Sequence, residues 1–394
     1  MGVEGTGVLK VGLVRDNKMN PWTFQREECL ADRLDMTLFV GERNDFDVSQ
    51  VRIPKQVLTH REELLLAARN PRLAWERMRR APFRRADYYY HSLRKHLEGY
   101  DIVHSTDLIR SAYTVADLKA ARGFRLVLSW WQNIPHWSLF DRRAAFYRDH
   151  VIPRADAFVP YAETTARALI MEGIPKARVH TVYPAVDLKR FRPGPRDAEL
   201  ARRVGIPDDA FVLVYVGKLT ATKGAYMIPY AVKLLEDEGL TNVHVVLAGR
   251  GAQRATLEGL ANLWGMAGRF HFVDFLTYGE VHRVHSLADA FVMPSYPTMT
   301  SQEQFGFAVM EAMACGKPPI VSTTGGLPEA VGDAGLVFPA GDFGALARHL
   351  RRLMEDRPFR EDLGAKARER AEACFDPHKT ADALYAVYEK VMRG

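Results

Sequence analysis

Short apolar runs that stop at a glycine or polar turn and give way to helical spacing recur along this chain, and no other feature narrows its fold as much. Phe211 to Val216 (FVLVYV) runs into Gly217-Lys218 and a helix reaching about Glu238; Val243 to Ala248 runs into Gly249-Arg250-Gly251 and a helix reaching Trp264. Phe270 to Val273, Ala290 to Met293 and Pro319 to Ser322 repeat the pattern. Runs that are apolar throughout, rather than at alternate positions, suit strands covered on both faces, and strands alternating with helices build a parallel sheet. The fold class is α/β. Loops that follow such strands line a ligand crevice at the carboxyl edge of the sheet.

The first half carries the same signature. Lys10 to Val14, Asp35 to Val40, Asp101 to Asp107, Phe124 to Ser129, Ala155 to Pro160 and Val179 to Val182 read as strands. Pro21 to Leu34 and Thr165 to Glu172 have helical spacing, with Glu163 and Thr164 placed to cap the second. Tyr183 to Pro195 (YPAVDLKRFRPGP) is proline-rich and charged, as interdomain linkers are. At 394 residues the chain is long for one core. Two doubly wound domains facing each other across a cleft are therefore expected, followed by helices at Ala345 to Glu355, Arg360 to Cys374 and Thr380 to Met392.

Composition excludes several classes. Apolar residues make up 47% and charged residues 26%, which describes a globular protein and not a disordered or repetitive one. Cys29, Cys315 and Cys374 lie far apart with no C-x-x-C pair, so neither a disulfide framework nor a zinc site is indicated. No apolar run reaches about eighteen residues and no signal-peptide pattern opens the chain, so a cytoplasmic protein is expected. Met1-Gly2 with Thr6 matches the short myristoylation pattern, but six residues are a weak signal and a flexible start is the preferred reading. A net charge of +6 suits an anionic ligand or an anionic membrane without selecting either.

Arg69 to Lys95 is the most basic stretch, with nine Arg and Lys residues against Glu76 and Asp87, aromatic residues interleaved, and Pro82 dividing it into two helical pieces. Two readings stand: a basic, aromatic surface for anionic lipid headgroups, or a solvated helix face whose aromatics turn inward. The former places the protein at the inner face of a membrane as a peripheral partner. Asp45-Phe46-Asp47 is a D-x-D, a metal-binding pattern in other contexts, but nothing else in the chain accompanies it.

Chemistry concentrates between Ser295 and Glu329 (SYPTMTSQEQFGFAVMEAMACGKPPIVSTTGGLPE). Here a loop holds Glu303, Phe305-Gly306 opens a helix with Glu311 in its second turn, and a buried strand leads to Gly325-Gly326. A helix start attracts anions through its free N–H groups and dipole. Lys218 and Lys223, in a glycine-flanked loop after a strand, suit a diphosphate or equally a solvated charged loop. Glu311, fixed in a helix, suits ribose hydroxyls or a salt bridge. Glu303, outside the helix, can reach sugar hydroxyls or a reacting centre.

Together, Glu303-x7-Glu311 with Phe305-Gly306 between them, E-A-M-A-C-G after it and G-G-L-P-E further on resemble the retaining family 4 glycosyltransferases of GT-B fold. The resemblance extends through V-G-K-L-x-x-x-K-G (Val216 to Gly224), V-x-x-x-V-D-x-x-x-F-x-P (Val182 to Pro193), D-A-G-L-V-F-P-A-G-D (Asp333 to Asp342) and the segment Phe375 to Tyr388. It implies transfer of a sugar from a nucleoside diphosphate sugar to a carbohydrate, lipid-linked or small-molecule hydroxyl, with retention at the anomeric carbon and no obligatory metal or cofactor. Residues 191–376 are then the donor domain, and 1–190, joined by a returning helix at 377–394, the acceptor domain. Nucleic acid is not an implied partner.

The same resemblance implies the site. Gly217, Lys218, Lys223, Gly249, Arg250, Phe275, Leu276, Glu303, Gln304, Phe305, Gly306 and Glu311 surround the donor, with Glu303, Lys218 and Lys223 nearest the chemistry. Relatives usually carry Arg at Lys218, so charge is kept while bidentate phosphate geometry is not. Many also have Gly-Gly where this chain has Asn17 to Trp22, and a site histidine where it has Ser129 to Asn133. By register Trp131 or Gln132 takes that place, so Asn17, Trp131, Gln132 and Asn133 are the acceptor-side candidates. His104 stands one strand away, either as the substitute catalytic histidine or as a structural one. Two alternatives accompany this reading: an inactive sugar-nucleotide-binding partner, and an epimerase or phosphorylase of the same fold. A nicotinamide dehydrogenase is disfavoured, because Gly249-Arg-Gly251-Ala-Gln-Arg254 lacks the third glycine of G-x-G-x-x-G.

Overall fold

The computed structural model describes residues 8–15, 20–42, 44–59, 92–106, 110–140, 142–274 and 277–394. Two compact units partition it. Unit 1 comprises Met1–Tyr161, Thr165–Tyr183 and Thr380–Gly394; unit 2 comprises Ala162–Thr164 and Pro184–Lys379.

Unit 1 is built on strands β1 (Lys10–Val14), β2 (Asp35–Gly41), β3 (Lys55–Leu58), β4 (Ile102–Thr106), β5 (Arg125–Trp130) and β6 (Ala157–Pro160), all parallel, in the order β3-β2-β1-β4-β5-β6. Successive side chains on a strand point to opposite faces. Val11, Leu13, Ile102, Val127 and Val159 accordingly share one apolar cluster with Ala381, Leu384, Val387, Tyr388 and Val391 of the Pro377–Arg393 helix. Val14, Val103, Leu126, Leu128 and Phe158 share the other with Ala112, Val115 and Ala116 of the Arg110–Arg122 helix.

Unit 2 repeats the plan with β7 (Phe211–Val216), β8 (Val243–Ala248), β9 (Phe270–Val273), β10 (Ala290–Met293), β11 (Pro319–Ser322) and β12 (Leu336–Phe338), again parallel, in the order β12-β11-β10-β7-β8-β9. Every residue of β8, β10 and β11 is buried, which is why these strands read as largely apolar runs, with only His244 and Ser322 polar. Each sheet reverses direction of growth once, between β1 and β4 in unit 1 and between β7 and β10 in unit 2. The crevice at such a switch point is where doubly wound sheets hold ligands.

Several local expectations change. Val179 to Val182 forms no named strand; Val179 makes one isolated bridge to Phe158, and His180 and Val182 N–H donate to Phe158 O at 2.9 Å and Pro160 O at 3.1 Å. Pro21 to Leu34 is not one helix but a 3₁₀ turn, Pro21–Thr23, and a short helix, Gln25–Glu28, whose Arg26 and Glu27 point inward. Glu163 and Thr164 lie inside the Glu163–Met171 helix and do not precede it. Strands β3 and β12 were not anticipated. Residues 69–91 of the basic stretch lie outside the described residues.

Candidate active site

At the switch point of unit 2 the loops after β7 and β10 are knitted together. Tyr296 N–H donates to Thr222 O at 2.9 Å, and Gly224 packs so tightly that a Cβ there would sit 1.9 Å from Pro294 O. Gly224 also has φ +67°, a conformation that suits glycine. The β7 loop is propped from below by Tyr215, completely buried, whose hydroxyl donates to Lys218 O at 2.7 Å. Burial pushes the Tyr215 phenol well above its ordinary range, so it serves as a neutral donor. The β10 loop is anchored at Ser295 O, which accepts from Ser322 Oγ at 2.6 Å and Thr324 Oγ1 at 2.8 Å.

These two loops bring Lys223 and Glu303 together across eighty residues of sequence. Lys223 Nζ donates to Glu303 Oε2 at 2.5 Å, and Ser295 Oγ donates to the same oxygen at 2.9 Å. An ammonium carries three protons and Glu303 engages one, so Lys223 is aimed by the carboxylate while keeping charge for an anion. Lys218 is exposed beside it on the same loop.

Gly306 closes this edge as the N-cap of the Phe307–Ala314 helix at φ +88°; a side chain there would meet Leu327 Cδ2 at 2.8 Å. Gly326 N–H donates to Glu303 O at 3.0 Å, which packs the Gly325-Gly326 turn against the Glu303 loop. Glu311 lies in the helix, buried, with its Oε2 3.3 Å from His285 Nε2. Gly249 N–H donates to Val273 O at 3.1 Å at the end of β8, while Arg250 is exposed and 3.8 Å from Asp274. Gln304 is exposed. Phe305 departs from expectation: its ring is buried against Phe375 at 5.5 Å, so it is a core residue, and only its backbone borders the site. Phe275 and Leu276 lie outside the described residues.

The unit 1 candidates are arranged differently. His104 is fully buried, with Nδ1 2.6 Å from Tyr388 Oη and Nε2 2.8 Å from Ser129 Oγ. Both ring nitrogens are engaged and no surface is exposed, which corrects the expectation of a catalytic histidine: His104 is part of a buried polar network. Arg26 continues it, donating to Val182 O at 3.1 Å and Tyr161 Oη at 3.1 Å, while Arg15 donates to His104 O at 2.8 Å. Burial, and then the charges of Arg15 and Arg26, hold the His104 pKa well below its usual value. Trp131 stacks on Tyr161 at 3.6 Å, and Gln132 Oε1 accepts from Ile134 N–H at 3.1 Å, closing the turn after β5. Asn133 is buried and Trp130 packs edge-on to Phe158 in the core. Asn17 lies outside the described residues.

The Asp45-Phe46-Asp47 segment is a turn. Asp47 accepts from Ser49 N–H at 2.8 Å and Ser49 Oγ at 2.9 Å, and these bonds hold its carboxyl below the usual range. Among the described residues no group of three His, Cys, Asp or Glu could hold a metal ion. Tyr215 and His285 were missed from sequence, because a tyrosine in an apolar strand and a histidine between Val284 and Leu287 read as ordinary core positions.

Two six-stranded, doubly wound sheets, the second carrying a lysine-lined loop and a glycine-capped helix at its switch point, define a GT-B type protein of two Rossmann-like domains. The family model for Glycosyltransferase Family 4 matches residues 29–190, and that for Glycosyl transferases group 1 matches residues 197–370. The chain belongs to this group 1/family 4 of GT-B glycosyltransferases. The D-inositol 3-phosphate glycosyltransferase of Streptomyces bingchenggensis (strain BCW-1) is 32% identical over 257 residues, 62% of this chain and 55% of that protein. That of Saccharomonospora viridis is 34% identical over 256 residues, 62% of this chain and 58% of that protein. The chain thus spans little more than half the length of these curated relatives. Among solved structures, Anabaena HepE in complex with UDP and glucose has a TM-score of 0.77 at 17% identity, covering 98% of this chain and 100% of that one. Sucrose-phosphate synthase from Thermosynechococcus elongatus has a TM-score of 0.72 at 21% identity, covering 98% and 99%. Those two likenesses concern the fold alone.

Proposed function

We propose that the protein is a retaining glycosyltransferase that uses a nucleoside diphosphate sugar and needs no metal ion. The observation that carries this reading is the Lys223–Glu303–Ser295 cluster at the unit 2 switch point, beside the start of the Phe307–Ala314 helix. As the bond to the diphosphate breaks, negative charge grows on the leaving group. Lys218, Lys223 and the helix start meet that charge with preorganised positive potential, which is the part a divalent cation would otherwise play. Positive character then builds at the anomeric carbon, where Glu303 is the nearest carboxylate, and the acceptor hydroxyl attacks from the face the diphosphate leaves. Glu311 holds the ribose, and Gly217, Gly249, Arg250 and Gln304 border the nucleotide, with Phe275 and Leu276 on the base.

The acceptor belongs to unit 1, with Trp131, Gln132, Asn133 and Asn17 on its side. HepE was captured with UDP and glucose, so UDP-glucose is the first donor to assay. The curated relatives are named for a phosphorylated inositol, so phosphorylated polyols are the first acceptors. Incubation with donor and acceptor, followed by NMR of the product's anomeric coupling, tests the reading. An axial donor giving an axial product supports it; inversion overturns it. Activity persisting in EDTA supports independence from metal, and full loss restored by manganese overturns it.

One observation favours a second reading. Trp131, stacked on Tyr161, or its neighbour Gln132 takes the place at which the family resemblance implies a histidine, as suits a partner that binds sugar nucleotide without transferring it. Donor binding without transfer or slow hydrolysis under any acceptor would establish that reading. A cytoplasmic protein touching the inner membrane face through Arg69 to Lys95 completes the proposal; no described helix is long and apolar enough to cross a membrane. Sedimentation with anionic vesicles, abolished by charge reversal in that stretch, tests the contact.

A further inference from the structure

We infer that His285 is a positioning residue that aims Glu311 and thereby sets selectivity for a ribonucleotide over a deoxyribonucleotide donor; the inference rests on the donor-site reading above. Glu311 is the one charged residue in a helix segment whose neighbours Val309, Met310, Ala312, Met313 and Ala314 are completely buried. A carboxylate in such a place needs a donor, and His285, fully buried in the Val281–Leu287 helix, supplies one at 3.3 Å. Because a carboxylate only accepts, Nε2 carries the hydrogen. Nδ1 is buried without a hydrogen-bond partner, and the ring is held edge-on to Phe191 at 6.0 Å and tilted against Phe291 at 5.5 Å. Aromatic walls therefore fix the imidazole, and among the described residues its one polar contact is to Glu311.

Only Oε2 of Glu311 is engaged among the described residues, and the side chain keeps 8% exposure. One oxygen is fixed and the other is left for an incoming donor, which is what a vicinal diol offers and a deoxyribose offers less well. Losing a hydrogen bond to a charged group typically weakens binding by about 10- to 100-fold, so the effect is measurable.

Calorimetry on the full chain with UDP, GDP, ADP and CDP, each beside its 2′-deoxy and 3′-deoxy forms, tests this. The wild type should prefer the ribose form at least about 10-fold, Glu311→Ala should erase the preference, and His285→Phe should reduce it to about 3-fold or less. His285→Gln, which keeps an N–H donor at similar reach, should restore most of it. Melting temperatures without ligand report folding, and if His285→Phe does not fold, the comparison of His285→Gln with His285→Leu carries the test. A preference lost in Glu311→Ala but intact in His285→Phe overturns the role of His285. A preference unchanged in Glu311→Ala, or absent from the wild type, overturns the donor-site reading at Glu311 itself.

Discussion

Replacing His104 with glutamine separates a structural from a catalytic histidine, and pH supplies the magnitude. In the folded chain His104 is shut away from water between Tyr388 and Ser129, facing the charges of Arg15 and Arg26, and its pKa lies well below the ordinary 6.5. Burial keeps the Tyr388 phenol far above its usual range, so Tyr388 offers no negative charge to stabilise an imidazolium. The unfolded chain therefore binds a proton here that the folded chain does not. Stability falls as pH drops below about 6.5, by about 1.4 kcal/mol per unit once the unfolded histidine is protonated, and is unaffected above pH 7.5. Between pH 8 and pH 5 this one group removes about 2 kcal/mol, or about 4–8 °C of melting temperature for a unit of this size.

Glutamine can donate and accept but cannot be protonated. His104→Gln should cost about 1–2 kcal/mol at pH 8 through imperfect hydrogen bonding, and that deficit should vanish by pH 5. His180, His244, His271 and His349 also have lowered pKa values through burial, so both proteins lose stability in acid; the difference between their curves isolates His104. Urea denaturation followed by tryptophan fluorescence from pH 8 to pH 5 measures it. A deficit constant to about 0.5 kcal/mol across that range would refute the buried-network reasoning. So would a hundredfold loss of turnover with stability unchanged.

Lys223→Ala should weaken UDP binding by about 10- to 100-fold in calorimetry, and Lys223→Arg by less, because a charge-assisted bond to phosphate is lost in one and kept in the other; equal affinity in all three proteins would remove Lys223 from the site. Glu303→Gln should lower kcat more than it raises donor Kd in steady-state and binding assays, and the reverse split would make Glu303 a binding residue. Gly224→Ala, whose Cβ would meet Pro294 O at 1.9 Å at φ +67°, should lose about 2–4 kcal/mol in thermal denaturation and donor binding with it. Cys315, buried with its thiol pushed up to about 12, should resist a disulfide reagent at pH 8 until the chain unfolds.

Legibility in the sequence tracked burial and locality. Strands β7, β8, β10 and β11 lie inside their sheet, and their nearly complete burial makes them largely apolar, so their ends could be read directly. Strands β3 and β12 sit at sheet edges with most residues exposed or part-exposed, and neither KQVL nor LVF stands out as a strand; β9, also at an edge, was readable because Phe270, Phe272 and Val273 are apolar. The run at Val179 to Val182 misled for another reason: it lies alongside β6, with His180 N–H donating to Phe158 O and Val182 N–H to Pro160 O, but makes only one isolated bridge and no continuous ladder. Pro21 to Leu34 misled because Arg26 and Glu27, which belong to the outer face of an ordinary amphipathic helix, turn inward to each other at 3.1 Å.

The two sites differ on the same principle. Lys218, Lys223, Gly306 and Glu311 belong to loops and a helix whose pattern is local, so glycines, lysines and carboxylates at fixed spacing were enough to make them candidates. His104 lies within β4, two residues short of its carboxyl end, close to where a site residue would stand, and the residues around it do not say otherwise. Its fate is decided by Tyr388, 284 positions away, when the Pro377–Arg393 helix packs onto unit 1 and caps Nδ1. A polar group near the carboxyl end of a strand is therefore ambiguous until the segment that covers it is known. His104→Gln and Tyr388→Phe should for that reason be non-additive, each removing the same Nδ1–Oη bond, whereas Tyr388→Phe and Lys223→Ala, which share no partner, should add to within about 0.5 kcal/mol.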